Sequence, residues 1–258
     1  MDRITRWSQC LSRVVAAAVL MLMMCCQSFQ EKPLYIVGVD PSWYPLRLDG
    51  KDAYVNGFLD ELLNLIGKQA GCSFQSVRMN WDNVVDGLVM RKYPVMLSTL
   101  PSTRPNLQRF NMSQVALYAG SCLVVLKNDP RTQLADFQEG LIGCVQYSEQ
   151  DLYLKTHSNL FPRYFPNTTS ALVALIDQEI DGVLADVIFA MTYVEDIGKD
   201  SLKIGEKLFP EQGVRLVALK GEHDAIIERF NQGLKQVKLS GDYQRLLKKW
   251  QLPAYLSE

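Results

Sequence analysis

The sequence contains few of the residues and motifs that most enzymes and nucleic-acid-binding proteins require. Only 2 of its 258 residues are histidine, and 27 lysines and arginines nearly balance 28 aspartates and glutamates. Without a basic excess to bind a phosphate backbone, we expect no nucleic-acid partner. Glycine-rich phosphate loops, the Gly-x-Ser-x-Gly nucleophile motif and the His-Glu-x-x-His zinc motif are absent from the sequence. These absences favour a protein that is not an enzyme and needs no cofactor.

Cysteine is scarce beyond the N-terminal segment. After residue 26 only Cys72, Cys122 and Cys144 remain. Their odd number and wide spacing, with so few histidines, argue against a disulfide framework and against a zinc site. We therefore predict no metal site and expect each of these cysteines to be a small buried side chain.

Long apolar runs are confined to the N-terminus, where residues 14–24 follow a segment with three arginines. This run is too short to span a bilayer comfortably, and its layout predicts a secretory signal over residues 1–26. Cys25 and Cys26 follow the run and resemble the end of a bacterial lipobox. We predict acylation of Cys25, with Cys26 as the alternative, which would tether the protein to a membrane. A plain signal peptide or an uncleaved anchor remains open.

From residue 34 onward, short β-rich runs alternate with amphipathic helical segments. This alternation predicts an α/β fold with mostly parallel sheets flanked by helices. The predicted strands are 34–39, 74–79, 95–97, 122–126, 141–145, 182–185 and 214–219. The predicted helices are 57–70, 81–90, 135–137, 149–157, 169–178, 187–194, 224–240 and 242–249.

Two breaks in this pattern predict crossings between two lobes. The segments 118–121 and 210–213 are rich in small residues or in proline and glycine. If both are hinges, the first lobe consists of residues 33–119 and 214–258, and the second lobe of residues 120–213. Paired hinge crossovers would let the two lobes close over a ligand.

Aromatic and polar side chains follow several predicted strands, which is typical of small-molecule sites in α/β proteins. Trp43 follows Asp40 after the first strand, and Trp81 begins a helix. We expect both indoles to expose a face to a cleft, where they would stack on a ligand. Packing in the core is the alternative for both rings.

Charged and hydroxyl groups follow two further strands. Thr99 and Arg104 come after the third strand, and an arginine fork there would select an anionic group such as a carboxylate. The alternative is an ordinary loop with a surface arginine. Asp186 ends another strand, where it would receive an ammonium group or merely cap the following helix.

The order of these segments resembles the family 3 periplasmic solute-binding proteins of polar amino-acid ABC transporters, over about residues 34–252. The segments that carry the resemblance are residues 37–45, 57–58, 81–82, 104 with 110, 181–186 and 249–250. The resemblance implies a two-lobe periplasmic-binding-protein-like fold. It also implies a periplasmic protein that delivers arginine, glutamine or a related amino acid to an ABC permease in the inner membrane. We expect this protein to be a monomer, tethered by the lipid anchor predicted above.

The resemblance implies ligand contacts for five residues of the first lobe. By position, Asp40 would hold the ligand side chain. The rings of Trp43 and Trp81 would sandwich that side chain. Thr99 and Arg104 would bind the α-carboxylate. The segment before Arg104 is shorter than the corresponding segment of the family, so no gapless register places both of these residues.

In the second lobe, the resemblance implies that Ser148 also meets the α-carboxylate and that Asp186 binds the α-ammonium. Tyr147 replaces a glycine of the family, so we expect an altered pocket. Two alternatives therefore stay open. One is a periplasmic enzyme resembling cyclohexadienyl dehydratases, with Glu149 as its acid, and the other is a sensory or partner-binding module with a degenerate pocket.

Overall fold

The structure, a computed structural model, describes residues 32–43, 48, 50–209 and 212–253, and only the backbone of residues 81 and 82. The predicted signal segment 1–26, including Cys25, lies outside these residues. Of the helices that are described, none combines the length and the apolar character needed to cross a membrane.

Strands and helices alternate along most of the described chain. The strands are β1 (Leu34–Val39), β2 (Ser73–Arg78), β3 (Val95–Ser98), β4 (Phe110–Met112), β5 (Leu117–Tyr118), β6 (Ser121–Leu126), β7 (Gly140–Val145), β8 (Leu160–Phe165), β9 (Gly182–Asp186), β10 (Leu202–Leu208) and β11 (Gly213–Leu219). The helices are α1 (Asp52–Ala70), α2 (Trp81–Val89), α3 (Arg104–Arg109), α4 (Glu149–Leu154), α5 (Thr168–Ile176), α6 (Val187–Asp196), α7 (Asp224–Leu239) and α8 (Asp242–Lys249).

The strands form two sheets. In the first sheet the order is β2-β1-β3-β11-β4, with β5 also paired to β11, and in the second it is β10-β6-β9-β7-β8. The predicted α/β fold with two sheets is confirmed. The strand directions are more mixed than predicted: β1 runs parallel to β2 and β3, and β7 runs parallel to β8 and β9. In contrast, β11 is antiparallel to its neighbours, and β6 is antiparallel to both β10 and β9.

Helices cover the sheets with apolar stripes. In α1 the buried residues include Phe58, Leu62 and Ile66, which recur every four residues on one face. Phe74 of β2 meets Phe230 of α7 edge to face, with ring centroids 6.1 Å apart. The three cysteines predicted to be buried are buried, as expected for small apolar side chains.

Two crossovers join the sheets, one between β5 and β6 and the other between β10 and β11, and the two contact each other. The Tyr118 hydroxyl donates to the Leu208 carbonyl at 2.6 Å and to the Ser121 carbonyl at 3.0 Å. A β-carbon at Gly120 would lie 2.7 Å from the Leu208 carbonyl oxygen, so the close approach of the two chains requires glycine there. The first sheet takes its strands from residues 34–118 and 213–219, and the second from residues 121–208. The exact lobe boundaries stay a prediction.

Candidate functional site

Asp40 follows β1 and lies at the same edge of the first sheet as Thr99. Val39 of β1 pairs in parallel register with Leu97 of β3, so the residues just beyond these two strands are neighbours. Only 4% of Asp40 is exposed. Its carboxylate accepts the Ser42 amide at 2.9 Å and the Ser42 hydroxyl at 2.8 and 2.9 Å. These bonds fix the orientation of the carboxylate.

Trp43 lies in the core, with 2% of its surface exposed. Its indole N–H donates to Asn56 Oδ1 at 2.9 Å, and the Asn56 amide donates to the Pro41 carbonyl at 3.1 Å. The expectation that this ring exposes a face to a cleft is therefore not met in the structure. The reason is physical: Asn56 satisfies the polar N–H, so the whole ring can be buried at little cost.

Trp81 begins α2, directly after Asn80. Its side chain lies outside the part of the molecule that the structure describes, so its stacking role stays a prediction.

Thr99 and Arg104 follow β3, as the sequence predicts. Thr99 is buried, and the hydroxyl of its neighbour Ser98 accepts the Leu100 amide at 3.1 Å. Arg104 is the exposed first residue of α3, a short helix without buried residues. Its side chain forms no hydrogen bond or ion pair with another described residue.

Asp186 is the last residue of β9, a central strand of the second sheet, and it pairs with Ser121 of β6. One amide group joins the two residues: Gln150 Nε2 donates to Asp186 Oδ1 at 2.9 Å and to Ser121 Oγ at 2.8 Å. Asp186 is the residue before α6, yet its side chain makes no capping hydrogen bond there. The carboxylate is therefore oriented by Gln150, a residue that the sequence interpretation missed.

Ser148 caps α4, because its hydroxyl accepts the Asp151 amide at 3.2 Å while donating to the Val145 carbonyl at 2.6 Å. Asp151 itself is fully buried and accepts three hydrogen bonds. They come from the Tyr147 amide at 2.8 Å, Lys155 Nζ at 2.9 Å and the Tyr164 hydroxyl at 3.1 Å. Burial raises the pKa of Asp151, but these bonds outweigh it and hold that pKa below its ordinary value.

The predicted residues thus form two groups, one at the end of each sheet. Asp40, Thr99 and Arg104 belong to segments that follow strands of the first sheet, whereas Ser148 and Asp186 belong to the second. Within the described residues, no cluster of three or more histidine, cysteine or acidic side chains is arranged to hold a metal ion.

A cavity of about 670 Å³ lies elsewhere, lined by residues 126–131, by Ile176 and Gln178 at the end of α5, and by Asp200 and Ser201. Leu126 is the far end of β6 from Ser121, so this cavity lies away from the candidate residues. Arg131 in its wall already bonds Asp129 at 2.8 Å and Asp181 at 3.3 Å. Since the guanidinium of Arg131 is already paired with these two carboxylates, we do not assign the ligand site to this cavity.

Solved structures of similar fold support the architecture. The L-cystine solute receptor of Neisseria gonorrhoeae, in an unliganded open conformation, matches with a TM-score of 0.66 and 17% identity, over 85% of this chain and 92% of the receptor. The second substrate-binding domain of GlnP from Lactococcus lactis, also open, matches with a TM-score of 0.63 and 19% identity, over 85% and 95% of the two chains. These matches confirm the two-lobe fold.

Two named relatives match over most of their length. The chain is 24% identical to a probable histidine-binding protein of Campylobacter jejuni, over 84% of each chain. It is 23% identical to the ABC transporter arginine-binding protein 1 of Escherichia coli, over 93% of this chain and 99% of that protein. Residues 35–253 match the family of bacterial extracellular solute-binding proteins, family 3. Because that match spans nearly every described residue and agrees with the fold, the chain belongs to family 3 of the bacterial extracellular solute-binding proteins.

Proposed function

We propose that the protein is the substrate-binding component of an ABC transporter, which captures a polar amino acid between its two lobes and delivers it to a permease. Arg104 and Thr99 bind the α-carboxylate from the first lobe, and Ser148 joins them from the second lobe once its hydroxyl turns from the Val145 carbonyl to the ligand. Asp186 binds the α-ammonium. Asp40 accepts the polar end of the ligand side chain, and the ring of Trp81 stacks on that side chain.

The observation that carries this proposal is that two opposite charges belong to segments at the ends of different sheets. Arg104, which begins α3 after β3, is exposed, and its side chain forms no hydrogen bond or ion pair with another described residue. An arginine fork matches a carboxylate with two parallel hydrogen bonds, which are stronger than those between neutral groups. On the other sheet, Gln150 holds the Asp186 carboxylate in one orientation. A zwitterion therefore complements both sites at once.

Ligand binding between the lobes would favour closure only through contacts that the closed form alone can make. A zwitterion supplies such contacts, because its carboxylate and ammonium reach both sheets only when the sheets approach. Micromolar affinity corresponds to about −8 kcal/mol, which a few charge-assisted hydrogen bonds can supply.

The ligand class is proposed from the relatives and from Asp40. Two relatives are named as histidine- and arginine-binding proteins, and arginine, glutamine or a related amino acid fits the buried carboxylate of Asp40. An anionic group at that position favours a side chain that donates hydrogen bonds and disfavours an acidic one.

A thermal-shift panel of the twenty amino acids tests the proposal. We expect arginine, glutamine or a related amino acid to raise the melting temperature and Arg104→Ala to abolish the shift. Arg109→Ala is the matched control, since Arg109 is exposed in the same helix and should leave the shift unchanged. If no amino acid stabilises the wild-type protein, or if both variants respond alike, the proposal fails.

We also propose a periplasmic location with a lipid anchor at Cys25. The support is the apolar run at 14–24 followed by cysteine, together with the extracellular nature of the family. Labelling of cells with radioactive palmitate should mark the wild-type protein and the Cys26→Ser variant, but not Cys25→Ser. Labelling of Cys25→Ser would place the lipid elsewhere.

We propose that the protein does not catalyse a reaction. The acid considered for a dehydratase, Glu149, accepts a hydrogen bond from Gln212 in the crossover, so its carboxylate is engaged in a contact between segments. Turnover of a prephenate-like acid by the purified protein would contradict this part of the proposal.

A further inference from the structure

Tyr147 has a backbone conformation that tyrosine seldom adopts. It follows β7 directly before Ser148, and its φ of 61° lies in the left-handed region. A β-carbon there crowds the backbone, so glycine is the residue that tolerates this conformation best. Non-glycine residues in this region persist only where surrounding contacts maintain them.

A buried carboxylate holds Tyr147 in this conformation. The Tyr147 amide donates to Asp151 Oδ2 at 2.8 Å. Asp151 is in turn fixed by Lys155 and by the Tyr164 hydroxyl, and its side chain has no exposed surface. The left-handed turn is therefore a built part of the structure and does not depend on the tyrosine side chain.

The ring of Tyr147 gains little from folding. The residue is 82% exposed, and the ammonium of Lys155 lies 6.0 Å from the ring centroid. Neither burial nor backbone preference explains why a large aromatic residue occupies this position. A contact that forms only with a bound molecule would explain it.

The position of Tyr147 points to the proposed ligand site. In the second sheet β7 runs parallel to β9, with Gly143 paired to Val183, so both strands end at the same edge. Asp186 ends β9 at that edge, and Tyr147 lies two residues beyond the end of β7. The exposed ring thus belongs to the segment that also carries Ser148.

We propose that Tyr147 is a specificity-determining residue, whose ring covers the side chain of the bound amino acid from the second lobe. The inference rests on the proposed function. Trp43 is buried in the core, so Tyr147 supplies an aromatic surface that Trp43 does not present in the structure. The electron-rich face of a tyrosine attracts cationic and planar groups, which selects guanidinium, imidazole or amide side chains over small aliphatic ones.

Calorimetric titration of the wild-type protein and three variants tests this role. The probe is whichever of the twenty amino acids stabilises the wild type most, with alanine as the aliphatic comparison. Tyr147→Phe should bind that amino acid within about twofold of the wild type, since the ring is retained. Tyr147→Ala should bind it about tenfold more weakly, as expected for loss of a desolvated aromatic contact. Tyr147→Gly should show the same loss with a higher melting temperature, because the strain is relieved.

Two control variants separate the ligand contact from general effects. Glu139 is exposed and has a φ of 56°, so Glu139→Gly should raise the melting temperature without changing affinity. Phe161→Ala removes another exposed ring from the second sheet, at 53% exposure, and should leave affinity unchanged. If Tyr147→Ala binds the amino acid as tightly as the wild type, this inference is wrong and the proposed function stands. If the wild type binds none of the twenty, both are wrong.

Discussion

At the scale of single residues, burial and hydrogen bonding decide what each aromatic and charged side chain does. Trp43 and Tyr147 both occur in polar turns after strands, yet one is 2% exposed and the other 82%. The difference lies in partners: Asn56 satisfies the indole N–H of Trp43 inside the core, whereas the ring of Tyr147 projects away from it. The local sequence alone does not show which of the two rings is buried.

Replacing Trp43 should therefore destabilise the fold. We expect Trp43→Ala to lower the free energy of unfolding by about 3–5 kcal/mol, because it leaves a cavity and an unpaired Asn56. Urea denaturation measures this change. Tyr147→Ala is the control, and we expect little change in stability from it because its ring is exposed. A loss below about 1 kcal/mol for Trp43→Ala would contradict the buried position.

Asp151 makes stability depend on pH. Its pKa is lowered in the folded state, so its ionised form contributes stability above the unfolded value of about 3.9, and this contribution is lost as pH falls through the folded pKa. We expect the wild-type protein to lose stability more steeply than Asp151→Asn on acidification below about pH 4. Urea denaturation at several pH values below and above this point measures the free energy of unfolding of each protein. Asp200→Asn, at a side chain 97% exposed, should follow the wild type, and equal slopes for all three would refute the role of Asp151.

Candidate residues at strand ends were predictable, whereas their supporting partners were not. Asp40, Thr99 and Asp186 follow apolar runs that read as strands, and the ends of adjacent parallel strands meet at one sheet edge. Gln150 lies 36 residues before Asp186, and nothing in its local sequence distinguishes it from a surface glutamine. Its role depends on tertiary packing, which the periodicity of a sequence does not reveal.

At the scale of elements, the buried strands and the long helices were predicted, and several polar or short elements were missed. The predicted helix 135–137 is a short 3-10 helix, Leu134–Asp136. The missed strand β8 contains Pro162, which interrupts a strand pattern but is tolerated here because β8 is an edge strand. The missed strand β10 carries several charged residues and lies at the opposite edge of the same sheet. Helix α3 has six residues and no buried side chain, so it shows no apolar period.

The contact between α1 and α8 explains why two distant sequence segments belong together. A β-carbon at Gly57 would overlap the ring of Trp250, which follows α8. Lys249 also pairs with Glu61 of α1. Glycine in α1 therefore makes room for the tryptophan, and these two segments are among those that carried the family resemblance.

Gly57→Ala should consequently destabilise the protein, although alanine favours helices. We expect overpacking to cost about 1–3 kcal/mol. Helix propensity returns about 1 kcal/mol, so any overpacking cost above that value leaves the variant less stable. Asn64→Ala, at an exposed position of the same helix, should instead stabilise slightly. Urea denaturation of both variants, and of Gly57→Ala combined with Trp250→Ala, measures the effect. If the glycine substitution costs as much without the tryptophan ring, the proposed overlap is not its cause.

At the scale of the whole molecule, the fold brings the ends of two sheets into a two-lobe arrangement with two crossovers. Tyr118 links the crossovers by hydrogen bonds to Leu208 and Ser121, and Gly120 allows the chains to approach. The family and the fold class were predictable because strand–helix alternation and short segments in a fixed order extend over about residues 34–252. The relative position of Arg104 and Asp186 in the bound state was not predictable from the sequence, since it depends on the closure of the two lobes.

The most direct test of the central claim is calorimetric titration with analogues that lack one charge of the bound amino acid. The ligands are the amino acid that stabilises the wild type most, its carboxamide and its desamino acid. We expect the wild type to bind each analogue about tenfold to a hundredfold more weakly than the parent. Arg104→Ala should lose the preference over the carboxamide alone, and Asp186→Asn the preference over the desamino acid alone. Equal preferences in the wild type and both variants would contradict capture of a zwitterion between Arg104 and Asp186.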